Sequence, residues 1–243
     1  MKVVAIVQAR MSSERFPGKV LAEIQGKPSL ELLLNRLSTA KRVDQIVVVT
    51  STEKSDDAIC LLVESLGIDV YRGSLRDVRS RFVGAARESS ADVIVRITAD
   101  CPLVDPDIVD QAVQTFLDSD CDYVSNVNPP TFPHGLDVEV FSVEGLFKAT
   151  TFSAEDADLE HVTTVLRSKE FRQINFEHIK NLSGLRWTVD WEKDLEVIQN
   201  VFRHFHPKIK FSWLEVLTLF LDKPELFDAN KHLSRNTSSY LPM

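Results

Sequence analysis

The feature that most constrains the fold of this chain is the alternation of short apolar runs with helical patterns across its first half. Runs rich in valine and isoleucine occupy residues 3–7, 45–50, 68–71 and 92–97. Apolar residues recur at helical spacing over residues 29–40, 56–66, 77–89 and 105–118. Strands that alternate with helices of this length predict right-handed βαβ units. We therefore expect an α/β fold, with a mostly parallel, twisted, Rossmann-like sheet and helices on both faces.

The second half departs from this rhythm. Three prolines, Pro129, Pro130 and Pro133, lie within residues 126–134, where they forbid regular ladder pairing. Residues 136–141 alternate apolar with acidic side chains, which is typical of a half-exposed strand. Further along, the patterns predict a last strand and three helices, at residues 185–189, 156–169, 193–205 and 212–221.

Composition narrows the class of protein. The 243 residues suit one large α/β domain, and 44% hydrophobic residues are enough for a sizeable core. A net charge of −8 argues against general binding to nucleic acids or to membrane surfaces, because proteins that bind them usually carry a net basic face. No apolar run reaches the ~20 residues of a membrane span, and the chain starts with a strand instead of a signal peptide. We expect a cytoplasmic protein whose three cysteines are free thiols.

The loop after the first strand is cationic, although the chain is acidic. Residues 1–28 carry five cations and two anions. Arg10 and Arg15 can fork onto phosphate oxygens, Lys19 supplies a mobile charge, and Ser12 and Ser13 add neutral donors. The loop has neither P-loop nor dinucleotide-fold glycine spacing. It predicts a binding site for a triphosphate at the carboxyl edge of the sheet.

Two carboxylates follow predicted strands. Asp100 lies just beyond the strand at 92–97, and Asp190 follows the strand at 185–189. At one sheet edge they would suit a hard divalent cation that also contacts phosphate oxygens. Each also has a structural alternative, since Asp100 can cap a turn before Pro102 and Asp190 can open the following helix.

The string AIVQARMSSERFPGKVL resembles the opening of the sugar cytidylyltransferases that make CMP-activated acidic sugars, and most of all the spore coat polysaccharide biosynthesis (SpsF) type. The segments His134–Val140 and Glu160–Thr163 resemble the H-G-x-D-x-E-V and E-H-V-T patterns of that type. Two positions depart from the family's patterns, because Ala99 replaces a glycine and Ser80 an acid. The resemblance implies a single nucleotide-diphospho-sugar-transferase domain, which we place over residues 1–221. The composition of the end of the chain, rich in Asn, Ser and Pro, predicts a partly disordered tail over residues 222–243. The resemblance also implies a projecting arm over residues 126–145 that helps to form a homodimer and the acceptor side.

The resemblance carries roles onto matching residues. It implies CTP and Mg²⁺ as ligands, with the metal on Asp100 and Asp190, and catalysis by Arg10, Arg15, Lys19 and Asp100. The nucleotide would be bound by Gln8, Ala9, Arg10, Ser12, Ser13, Arg15, Lys19, Thr50, Ser51, Arg72, Gly73, Thr98 and Ala99. The sugar acceptor would be bound by His134, Gly135, Asp137, Glu139, Glu160, His161 and Arg186.

The implied reaction joins CMP to an acceptor hydroxyl and releases pyrophosphate, in the assembly of surface glycans. Two alternatives stay open on the sequence alone. The same fold could use another nucleoside triphosphate to activate a sugar phosphate, or it could be a nucleotide-binding scaffold without catalysis. No residue stands out as a strong general base.

Overall fold

The computed structural model describes residues 1–152 and 156–235, without the side chains of residues 156–158. Its strands are β1 (Val3–Gln8), β2 (Glu23–Ile24), β3 (Lys27–Pro28), β4 (Gln45–Ser51), β5 (Asp69–Gly73), β6 (Val93–Thr98), β7 (Tyr123–Ser125), β8 (Glu139–Ser142) and β9 (Gln173–Asn175). Its α-helices are α1 (Ser29–Leu37), α2 (Asp57–Ser65), α3 (Val78–Glu88), α4 (Pro106–Leu117), α5 (Val143–Ala149), α6 (Asp156–His161), α7 (Glu192–Phe205) and α8 (Trp213–Asp222). The predicted alternation of the first half is confirmed.

The main sheet has seven strands in the order β5-β4-β1-β6-β8-β7-β9. Pairing is parallel from β5 to β6 and between β7 and β9, and only β8 runs against its two neighbours. Alternate residues of β1 enter different cores, because Val3, Ala5 and Val7 belong to one and Val4 and Ile6 to the other. This two-sided burial explains the continuous apolar run and confirms a mostly parallel sheet covered on both faces.

Helix starts follow the local sequence. Asp105 accepts hydrogen bonds from the backbone N–H groups of Asp107 and Ile108 and places Pro106 at the first position of α4. Asp77 likewise accepts one from Ser80 at the start of α3. Such caps fix where each helix begins relative to the strand before it, and hence what the connecting loop presents at the sheet edge.

Three predicted elements differ from the structure. The helix expected over 156–169 ends at His161, because Val162 has a φ of 56° that an α-helix does not accommodate. The strand expected over 185–189 is an extended segment with a single bridge, between His134 and Arg186. The half-exposed strand expected over 136–141 begins only at Glu139 and is buried on both faces. Its acidic residue is paired inside the protein, which the alternating pattern alone did not reveal.

The predicted arm and the described part of the predicted tail both pack on the domain. Most of residues 126–145 are buried, and Phe132, Leu136 and Val138 join the core, so the predicted arm lies on the domain instead of projecting from it. In the predicted tail, residues 224–230 form a 3₁₀ helix that buries Phe227 against Trp187 and Phe220. Residues 236–243 lie outside the described residues. None of the described helices has the length and apolar character needed to cross a membrane.

Candidate functional site

A cavity of about 510 Å³ opens at the carboxyl ends of β1 and β6, which are neighbours in the sheet. It is lined by most residues of the predicted nucleotide site, by both predicted metal ligands and by one predicted acceptor residue: Gln8, Ala9, Arg10, Ser12, Ser13, Arg15, Lys19, Thr98, Ala99, Asp100, Asp190 and Glu160. Glu14, Val20, Val78 and Arg81 complete the lining. None of these four is among the site residues predicted from the sequence. The cavity lies where parallel sheets bind ligands, because strand ends expose free backbone groups there.

The ammonium group of Lys19 lies between two carboxylates. Its Nζ is 2.9 Å from Asp100 Oδ2 and 2.7 Å from Asp190 Oδ1. Burial alone would lower the pKa of Lys19, but the two aspartates outweigh it and raise that pKa above its usual value. Burial alone would raise the pKa of Asp100, but Lys19 and a hydrogen bond from Thr98 hold it well below its usual range. Lys19 and Asp100 are therefore both charged at neutral pH.

Each cation of the loop is paired with a carboxylate. Arg10 contacts Glu160 at 3.1 Å, and Arg15 contacts Asp190 at 3.0 Å while its guanidinium lies 5.7 Å from the ring centre of Trp191. Both arginine side chains remain more than 40% exposed. Exposed pairs of this kind are weak, because water and salt screen them. The arginines can therefore exchange their carboxylate partners for a more highly charged phosphate ligand.

Asp56 fixes the position of the cationic loop by accepting hydrogen bonds from it and from the end of β4. Its Oδ1 accepts a hydrogen bond from the Met11 backbone N–H at 2.8 Å, and its Oδ2 accepts bonds from the Thr50 hydroxyl at 2.9 Å and the Ser51 hydroxyl at 2.5 Å. Burial would raise the pKa of Asp56, but these hydrogen bonds lower it. Gly18 turns the chain back with a φ of 75° and donates to Met11 O. The cationic loop after β1 is therefore held in its conformation by bonds within the protein, without a ligand.

Replacing Asp56 by alanine is expected to weaken nucleotide binding about tenfold and to lower the free energy of unfolding by about 1–3 kcal/mol. Four donors, among them the Ser51 backbone N–H, lose their acceptor, and the loop is no longer fixed at Met11. Calorimetry of nucleotide binding and urea unfolding measure the two effects. Asp57→Ala is the matched control, since that exposed carboxylate bonds only with Arg72 among the described contacts. Equal binding by both variants would contradict this role.

Four predicted nucleotide contacts do not line the cavity. Thr50 and Ser51 are fully buried and donate hydrogen bonds to Asp56, so their side chains do not face the cavity, and their contact with a nucleotide stays a prediction. Arg72 bonds with Asp57 and with the carbonyl oxygens of Ser51 and Glu53. Gly73 leaves room for the side chain of Arg81, whose Cγ would lie 2.9 Å from a Cβ at that position. All four support the loop and the wall around the cavity.

Four of the predicted acceptor residues lie beside the cavity without lining it. Arg186 approaches His134 Nδ1 at 3.3 Å and Asp190 Oδ2 at 3.4 Å, and Asp137 bonds with Arg235 at 2.7 Å. Burial is the largest cause and lowers the pKa of His134. The negative charge of Asp137 raises this pKa, and the positive charges of Arg235 and Arg186 lower it. Gly135 has a φ of 111°, and a Cβ there would lie 2.6 Å from the Trp187 backbone. Its role in the structure is close packing.

Two further predicted acceptor residues, Glu139 and His161, do not line the cavity. Glu139 is buried and bonds with Arg96, Arg167, Tyr123 and Thr163, so no ligand reaches its carboxylate. Arg96 also donates to Gln8 Oε1 at 3.1 Å, which connects this network to the cavity wall. His161 lies beside the network but outside the lining, and its pKa is lowered, first by burial. Glu139 therefore acts on the site through Arg96 and Gln8.

Asp194 is the missed residue that positions Asp190. The sequence assigns it only a first-turn charge, yet it is fully buried. Its carboxylate accepts from the backbone N–H groups of Asp190 and Trp191 and pairs with Arg186 at 2.7 Å. Asn230, from the predicted tail, donates to the same carboxylate at 2.9 Å. The sequence signal that could have found this role is an acid at the third helical position, which can accept from the backbone N–H groups at the start of the helix.

The donor set at Lys19 fits Mg²⁺. The described residues hold no cluster of three or more His, Cys, Asp and Glu side chains that could bind a metal alone. However, Asp100 and Asp190 already direct one oxygen each to a shared cation, the Lys19 ammonium. A hard divalent cation takes oxygen ligands, and the phosphates of a bound nucleotide can supply the remainder. The two carboxylates therefore suit a metal that arrives with its nucleotide.

Comparison with known proteins identifies the family. The cytidylyltransferase family model matches residues 4–208. An uncharacterised protein of Methanocaldococcus jannaschii is 37% identical, covering 98% of both chains, and the spore coat polysaccharide biosynthesis protein SpsF of Bacillus subtilis is 31% identical, covering 92% of this chain and 95% of its own. The structure of a cytidylyltransferase from Leptospira borgpetersenii superposes with a TM-score of 0.89 at 29% identity, covering 93% of this chain and 97% of that one. The chain therefore belongs to the cytidylyltransferase family and is a CTP-dependent nucleotidyltransferase.

Proposed function

We propose that the protein uses CTP and Mg²⁺ to transfer CMP to the hydroxyl group of an acidic sugar, in the synthesis of a surface polysaccharide. One observation carries this proposal. The 510 Å³ cavity brings Arg10, Arg15 and Lys19 together with Asp100 and Asp190 at one sheet edge. A triphosphate needs the cations, and a bound metal needs the carboxylates, so a site for either ligand alone would not need both sets.

The reaction follows from these charges. The acceptor oxygen forms a bond to the α-phosphorus, the bond from that phosphorus to the bridging oxygen breaks, and pyrophosphate leaves while the hydroxyl proton passes to solvent. Arg10, Arg15 and Lys19 stabilise the negative charge on the phosphates as it shifts toward the leaving group. Mg²⁺, held by Asp100 and Asp190, would neutralise phosphate charge and lower the pKa of a nearby hydroxyl.

The residues beside Asp190 support an acidic acceptor. Arg186 and Arg235 bring two guanidinium groups close to His134, and Arg186 is in contact with Asp190. A sugar carboxylate is the ligand group that guanidinium donors match best. SpsF, which acts in polysaccharide biosynthesis by its name, supports the pathway class. A homodimer in the cytoplasm stays a prediction of the sequence.

The test is the thermal midpoint of the protein with CTP, UTP, GTP and ATP, each with and without Mg²⁺. A ligand at about 100 times its dissociation constant stabilises the native state by about 2.7 kcal/mol, or about 5–11 °C for a chain of this size. We expect that shift with CTP and Mg²⁺ together. Pyrophosphate release with a panel of acidic and neutral sugars then identifies the acceptor. A larger shift with another nucleotide would overturn the donor, and no shift would favour a scaffold.

A further inference from the structure

Asp190, one of the two carboxylates that suit a metal ion, is surrounded by cations of the protein itself. Its Oδ1 contacts Lys19 Nζ at 2.7 Å and Arg15 Nη2 at 3.0 Å, and its Oδ2 contacts Arg186 Nη2 at 3.4 Å. Arg186 is balanced separately, because it also pairs with Asp194 at 2.7 Å. Lys19 and Arg15 are therefore the cations that remain for Asp190 to balance.

Lys19 is the cation that both carboxylates share. Its Nζ is 2.9 Å from Asp100 Oδ2, and the Cys101 thiol lies 3.5 Å from the other oxygen of Asp100. The two carboxylates together thus face two cations, Lys19 and Arg15, and their charges cancel. A free divalent cation on the same two carboxylates has to displace the Lys19 ammonium or lie beside it as an unbalanced charge. Both cost free energy, because the Lys19 side chain is only 11% exposed and like charges repel more strongly away from water.

We propose that Lys19 makes the metal site selective, so that its two carboxylates reject a free divalent cation and accept one only together with a triphosphate. This inference rests on the proposed function. A triphosphate in the cavity offers phosphate oxygens to Lys19 and Arg15, which both line it. Asp100 and Asp190 then lose the cations that balance them, and their two negative charges match a divalent ion. By linkage, nucleotide and metal raise each other's affinity by the same factor.

The experiment compares Mn²⁺ binding by the parent protein, by Lys19→Met and by the control Lys27→Met, all without nucleotide. Lys27 is an exposed lysine that pairs with Glu31 outside the cavity lining. Equilibrium dialysis measures the Mn²⁺ that the protein retains. We expect dissociation constants above about 1 mM for the parent and the control, and binding at least about 10-fold tighter for Lys19→Met. Equal binding by the parent and Lys19→Met would overturn the proposal.

The thermal midpoint in the absence of nucleotide provides a second readout. Lys19→Met leaves Asp100 and Asp190 close together without their shared cation, so its midpoint in metal-free buffer should lie below that of the parent. Mg²⁺ at about ten times its dissociation constant should then raise the midpoint of this variant by about 3–6 °C. The same Mg²⁺ concentration should leave the parent and Lys27→Met unchanged. A lower midpoint that Mg²⁺ does not raise would make Lys19 merely structural and overturn the proposal.

Dialysis of the parent protein with CTP separates this inference from the proposed function. CTP should increase the Mn²⁺ that the parent retains, because the phosphates then bind Lys19. Tight Mn²⁺ binding by the parent without nucleotide would overturn the inference even if Lys19→Met does not fold. If CTP leaves Mn²⁺ binding by the parent unchanged while Lys19→Met gains it, Lys19 excludes the free metal as inferred and the proposed function fails instead.

Discussion

Replacing Asp100 by asparagine is expected to lower the rate of pyrophosphate release from CTP at least about 100-fold at saturating substrate. Asparagine keeps the shape of the side chain but removes one of the two carboxylates that share the Lys19 ammonium. The remaining carboxylate, Asp190, is left alone to balance a divalent cation. A 100-fold loss corresponds to about 2.7 kcal/mol of transition-state stabilisation.

The same variant should need more Mg²⁺ for half-maximal rate, because one metal ligand has become a weaker neutral donor. Initial rates at several Mg²⁺ concentrations measure both effects. Asp120→Asn is the matched control, since its side chain is 89% exposed and outside the cavity lining. Full activity of the Asp100 variant at ordinary Mg²⁺ concentrations would exclude Asp100 from the metal site.

Replacing Glu139 by glutamine is expected to lower the free energy of unfolding by about 3–5 kcal/mol. The carboxylate is buried between two guanidinium groups, and Arg167 Nη2 lies 2.7 Å from its Oε1. Glutamine fills the same volume without a charge, so Arg96 and Arg167 remain buried without the anion. For a chain of this length the loss corresponds to a thermal midpoint about 6–20 °C lower. Urea unfolding of this variant and of the exposed control Glu144→Gln measures the difference.

Glu139 also sets the acid stability of the fold. Burial would raise the pKa of Glu139, but Arg96 and Arg167 hold it well below its usual value of 4.5. Because the folded-state pKa is lowered, the stabilisation is complete above the unfolded-state pKa and is lost as the pH falls below it. The parent protein should therefore lose stability from about pH 5 downward, and Glu139→Gln should lose less over that range. Parallel pH profiles for the two proteins would disprove the assignment.

The sequence identifies the edge of the sheet that carries the cavity, because neighbouring parallel strands end there. Lys19 and Asp100 come after the apolar runs that form β1 and β6, and the rule that such strand ends meet at one edge brings them together. Asp190 follows an extended segment outside the sheet, which is held beside them because the Val189 N–H donates to Asp100 O at 2.7 Å. The structure places both carboxylates within 3 Å of Lys19 Nζ. Patterns of apolar residues thus predict the sheet, and the sheet predicts which polar residues are neighbours.

The remaining errors have one physical origin. The apolar pattern predicts that Thr50 and Ser51 end a strand. It does not predict that the Asp56 carboxylate accepts hydrogen bonds from their hydroxyl groups. Likewise, alternation makes Glu139 look exposed, because the arginines that neutralise it come from β6 and from residue 167. Contacts between distant segments decide all of these, and no local pattern records them.

The bonds of Lys19 span most of the polypeptide. Asp100 and Asp190 lie 81 and 171 residues further along the chain. A ribosome that adds about 5–20 residues per second needs roughly 10–30 s to synthesise the longer of these stretches. Throughout that time the nascent chain displays its cationic loop without the second carboxylate. In the proposed mechanism the site is therefore complete only after Asp190 has been synthesised and has reached Lys19.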